Sequence, residues 1–81
     1  MNPQEVAQLI RAGLAGSIAT VTSDDNVHFE AVVVAEAFAG KRALQRHQLV
    51  YAALGTAVGG EIHALALKAF TPEEFRTRGR P

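Results

Sequence analysis

The chain has 81 residues, 48% of them apolar and 20% charged, with eight acidic and eight basic side chains that cancel. This composition suits one small folded domain over residues 1–81 rather than a disordered tail, and the zero net charge argues against the strong phosphate attraction of a dedicated nucleic-acid binder. The absence of cysteine excludes a disulfide scaffold and any metal site built from the chain's own thiolates.

Asn2-Pro3-Gln4-Glu5 predicts a helix start, with a capping side chain, proline at the first helical position and an acid that reaches back to the cap. Val6, Leu9, Ile10 and Leu14 follow at helical spacing, and Gly13 and Gly16 mark the end. Ser17 to Ser23, with Ile18, Thr20, Val21 and Thr22, predicts a strand. Asp24-Asp25-Asn26 is a turn signal, and a second strand is expected from Val27 to about Glu36. A short polar loop between two strands predicts an antiparallel hairpin. The Val32-Val33-Val34 run is too apolar for a strand with one wet face, so this strand is expected at the centre of the sheet.

Phe38-Ala39-Gly40 reads as a turn. Ala43, His47, Val50, Tyr51 and Leu54 then fall on one helical face, with Arg42, Gln45 and Arg46 mostly off it. Gly55, Gly59 and Gly60 close this helix, with room for a short extra turn. From Glu61 to Phe70 the pattern alternates. Ile62, Ala64, Ala66, Lys68 and Phe70 are expected on one face, and His63, Leu65, Leu67 and Ala69 on the other. Thr71-Pro72-Glu73-Glu74 predicts a capped last helix that Phe75 packs onto the body. Arg76, Arg78 and Arg80 lie toward its negative end, where the chain is expected to fray. The order predicts an α+β fold, a three-stranded sheet with helices packed on one face.

Four pieces stand out together: Phe38-Ala39-Gly40-Lys41, Gln45-Arg46-His47, Ile62-His63-Ala64-Leu65 and Thr71-Pro72-Glu73-Glu74-Phe75. In this order and spacing, and extended back to His28-Phe29-Glu30, they resemble the BolA family of small stress-response proteins. The resemblance implies a fold related to the type II KH domain. It also implies a non-catalytic adaptor that pairs with a monothiol glutaredoxin and shares a [2Fe-2S] cluster with it, in cluster trafficking or iron and stress regulation. His63 then corresponds to the family's cluster ligand. By position alone, His63 reads as a partly buried ring with one hydrogen bond.

A second ligand is implied in the loop between the first two strands, about four residues before the aromatic matched by Phe29. That position holds Asp25, and His28 is the nearest histidine; an exposed strand-start residue is the plainer expectation for His28. With no cysteine on this chain, the remaining thiolates must come from the glutaredoxin and glutathione. His47 reads as a structural histidine.

Lys41, Arg42 and Arg46 gather at a helix start, a place that attracts phosphate. Family members have been described as DNA-binding regulators, so DNA or RNA binding there is the alternative function. A solvated helix face, or a surface for an acidic partner or for glutathione, explains the same residues. No nucleophile elbow or zinc-protease spacing is present, and capping explains Glu73-Glu74, so no enzyme is expected. No apolar run reaches the roughly 18–20 residues of a membrane span, and no basic start precedes an apolar stretch. The protein is therefore expected in the cytoplasm, away from membranes, as a monomer or weak homodimer when free.

Overall fold

The structure is a computed structural model that describes residues 1–78. Its elements are α1 (Pro3–Gly13), β1 (Ile18–Thr22), β2 (His28–Val34), α2 (Ala43–Leu54), β3 (Ala64–Phe70) and α3 (Pro72–Arg78), with 3-10 turns at Glu36–Phe38 and Gly55–Ala57. Arg80, and the fraying expected with it, lies outside the described residues.

The sheet order is β1-β2-β3. β1 pairs antiparallel to β2, with Ala19 opposite Val33 and Val21 opposite Ala31. β2 pairs parallel to β3, from His28 beside Ala64 to Val34 beside Phe70. The α+β class, the hairpin and the central place of β2 agree with the sequence. Val32 tolerates the open face because Thr20 and Lys68 flank it in the register.

α1 begins as its sequence predicts. Asn2 accepts from the Glu5 N–H at 2.9 Å, and Glu5 accepts from the Asn2 N–H at 2.9 Å. Its inner face, Val6, Ile10 and Leu14, meets Ala19, Phe29, Ala31 and Val33 of the sheet and Val50 and Leu54 of α2. Gly13 does more than end the helix. A Cβ there would lie 2.4 Å from the Ala53 Cβ, so glycine permits the close approach of α1 to α2.

Phe38 lies in a turn as expected, and its side chain is fully buried. Four expectations change. β2 stops at Val34, and the 3-10 turn swings the Phe38 ring under the body. The buried face of α2 is rotated from the one expected. Val50 and Leu54 are inside with Leu49 partly so, Ala43 and Tyr51 are exposed, and Arg46 is drawn to the edge of the core. β3 starts at Ala64, not Glu61. The Ile62 N–H donates to the Ala57 carbonyl, and Ile62 bridges to Val58. This turn breaks the alternation, so Ile62 is 1% exposed in the core while Ala64 and Ala66 are exposed. His63 therefore sits at an exposed bend rather than half-buried on the Leu65–Leu67 face.

Candidate metal-donor end of the sheet

The loop between β1 and β2 is organised by one carboxylate. Asp25 Oδ1 accepts from the main-chain N–H groups of Val27 (3.0 Å) and His28 (2.9 Å), and from the Ser23 hydroxyl (3.3 Å). Ser23 Oγ also accepts from the Asn26 N–H at 2.9 Å and lies 2.6 Å from the His28 carbonyl oxygen. Asn26 takes φ +59, a left-handed conformation that asparagine tolerates well. The other oxygen, Oδ2, lies 2.7 Å from His28 Nδ1. The His28 main-chain N–H, then its ring, then the Val27 N–H hold the Asp25 carboxyl well below the usual carboxylate range. His28 itself is 66% exposed.

His63 reaches the same end of the sheet by a main-chain bond. Its N–H donates to the Val27 carbonyl at 3.0 Å, one residue before His28, and Ala64 lies opposite His28 in the register. Both imidazoles are exposed. A hollow of about 500 Å3 opens beside His28, lined by Asp24, Asp25, Glu30 and the small side chains of Ala64 and Ala66. Among the described residues no group of three or more His, Cys, Asp or Glu side chains forms a metal site. This end of the sheet thus carries two exposed histidines, His28 and His63.

The opposite end carries the basic residues. Arg46 Nε donates to the Lys41 carbonyl (2.8 Å) and Nη1 to the Ala69 carbonyl (3.1 Å). The guanidinium then grips Glu74 through two bonds, at 2.6 and 3.1 Å. Glu74 also accepts from the Thr71 N–H, and the Thr71 hydroxyl accepts from the Glu74 N–H, the capping box expected from the sequence. The Arg46 bonds foremost lower the Glu74 pKa to about 2, and the same bonds push Arg46 up. Arg46 is thus spent on joining α2, β3 and α3. Lys41 and Arg42 remain exposed, and the nearby hollow brings Glu36, Glu73 and Glu74 against Arg46 and Arg76. His47 is half-buried with its ring edge-on to Tyr51, at 6.4 Å between centroids.

Sequence reasoning named His63, His28 and Asp25 but missed the hydrogen bonding that assigns Asp25 to the loop. A local signal existed, since Ser23, Asp25 and His28 have the short spacing of an aspartate-centred turn. No local signal pairs Arg46 with Glu74, 28 positions apart.

The chain is similar to known proteins in sequence and in fold. A family model described as BolA-like protein matches residues 11–74. The human BolA-like protein 1 is 46% identical over 56 residues, which cover 69% of this chain and 41% of that protein. The DNA-binding transcriptional regulator BolA of Haemophilus influenzae is 45% identical over 51 residues, covering 63% of this chain and 50% of that protein. The chain thus matches half or less of the length of these curated relatives. Among solved structures, a BolA homologue from Coxiella burnetii superposes with a TM-score of 0.85 at 43% identity, covering 94% of this chain and 97% of that one.

Proposed function

The chain belongs to the BolA-like family, and from that premise we propose that it is a non-catalytic cytoplasmic adaptor that pairs with a monothiol glutaredoxin and shares a [2Fe-2S] cluster with it. The observation that carries this reading is the pair of exposed imidazoles, His63 and His28, at one end of a sheet whose chain has no cysteine. Iron–sulfur clusters need ligands on both irons, usually thiolates. This chain can supply the nitrogen side of such a donor set and must find the sulfur side in a glutaredoxin cysteine and glutathione. Imidazole in place of thiolate raises the cluster's potential when it is bound.

His63 is the principal donor in this reading. His28 is the loop donor, because Asp25, the other loop candidate, has its carboxylate oxygens taken up by hydrogen bonds. The test mixes the protein anaerobically with a monothiol glutaredoxin, iron, sulfide and glutathione, and follows visible absorption and circular dichroism. His63→Ala is expected to abolish the mixed-complex spectrum or shorten its lifetime. An unchanged spectrum and lifetime would remove the ligand assignment.

A second reading, nucleic-acid binding, is favoured by the exposed Lys41 and Arg42 and by the name of the Haemophilus influenzae relative. Arg46 adds little to it, since Glu74 neutralises that guanidinium. Changing Lys41 and Arg42 together to Gln should lower the log–log salt slope of DNA binding by about 2. An unaltered slope and affinity would end this reading.

A further inference from the structure

We propose that Asp25 is a positioning residue: it holds the His28 ring with Nδ1 protonated and Nε2 bare, so that the loop presents one defined nitrogen to a metal centre. The inference rests on the reading of His28 as the loop donor and deepens it.

The geometry carries the argument. A carboxylate has only lone pairs, so a ring nitrogen 2.7 Å from Asp25 Oδ2 must bear the hydrogen between them. In a neutral imidazole the other nitrogen is then the acceptor, and only that nitrogen can bind a metal. A carboxylate behind a ligating histidine is a recurrent device for fixing tautomer and ring orientation.

Asp25 is itself immobilised, because Oδ1 accepts from the Val27 and His28 main-chain N–H groups. It therefore orients the ring from a frame made by the same turn. The ring is 66% exposed and stands beside the hollow lined by Glu30, Ala64 and Ala66. Small side chains there leave a partner room to approach.

Asp25→Asn separates this role from loop folding. The amide oxygen can keep the main-chain bonds that Oδ1 makes. The amide nitrogen, a donor, then faces Nδ1 and inverts the tautomer, so Nε2 carries the hydrogen and loses its lone pair. Ser23→Ala is the complementary control. It removes the Ser23 bonds to Asn26, His28 and Asp25 Oδ1 and keeps both partners of the Asp25 Oδ2–His28 Nδ1 contact.

The readout is long-range 1H–15N NMR of the His28 ring in the metal-free protein, under conditions where the ring is neutral. The wild type and Ser23→Ala should show the Nδ1–H tautomer, and Asp25→Asn the Nε2–H tautomer. In the glutaredoxin mixture, Asp25→Asn should shorten the complex lifetime at least about tenfold. A wild-type ring with hydrogen on Nε2, or an Asp25→Asn ring that keeps it on Nδ1, would overturn the inference. Ser23→Ala inverting the tautomer as fully as Asp25→Asn would also overturn it, by showing that loop shape decides. His28→Ala in the same mixture tests the ligand reading separately, so the two can fail independently.

Discussion

The two ends of the parallel β2–β3 pair each hold a carboxylate against a nitrogen base, and they use it in opposite ways. At the His28–Ala64 end, Asp25 meets His28 at 2.7 Å within a six-residue stretch of loop. At the Val34–Phe70 end, Glu74 meets Arg46 at 2.6 Å across three elements. The Arg46 side chain is 12% exposed, and its bonds run to Lys41, Ala69 and Glu74. It closes that end. His28 is exposed, and its bond to Asp25 leaves one ring nitrogen free. A saturated ion pair locks a fold, whereas a hydrogen bond that takes one ring nitrogen leaves the other able to act as a donor.

The largest effect on stability is expected at the closed end. Arg46→Ala takes the guanidinium from the Ala69 carbonyl and from Glu74, which keeps only its bond from the Thr71 N–H, and removes a side chain whose guanidinium carbon lies 5.9 Å from the centre of the Phe38 ring. We expect a loss of about 2 kcal/mol, read from urea unfolding. A change near zero would show that α3 docks through Phe70 and Phe75, which lie 5.9 Å apart.

The same substitution should change the acid limb of stability. The folded Glu74 pKa is depressed from 4.5 to about 2. Its contribution is therefore full above the unfolded value and drains as pH falls through the folded one. Part of the stability lost between these values should be absent in Arg46→Ala. Asp25 is depressed too, so a residual acid limb should persist in that variant.

The smallest stability change is expected at the open end. His28→Ala and His63→Ala remove exposed rings and should shift unfolding free energy by no more than about 0.5 kcal/mol. Cluster sharing should meanwhile fall. A large loss of stability from either change would make that histidine a fold residue and blur the contrast between the two ends.

The candidate site was partly legible in one dimension. The family resemblance pointed to His63, and short spacing put Asp25 and His28 within reach of each other. The exposure of His63 was not legible, because Glu61 to Phe70 alternates without interruption on paper. The bond from the Ile62 N–H to Ala57 and the bridge to Val58 break that alternation, and both depend on the preceding turn. The division within the basic cluster was not legible for a related reason. Lys41, Arg42 and Arg46 look equivalent in sequence, yet only Arg46 faces Glu74.

By itself the sequence determined the elements and their caps, the three-stranded α+β plan and the lack of thiolate. These follow from local forces: periodic apolar side chains, Asn2 and Thr71 as caps, and a polar loop between strands. Tertiary structure decided which face of α2 is inside, why Gly13 must lack a side chain, and which cation is spent. Those outcomes depend on contacts between residues far apart in the chain: Ala53 against Gly13, Phe38 under the body, and Glu74 against Arg46. It also brought His63 beside the His28 strand, by the bond from its main-chain N–H to the Val27 carbonyl.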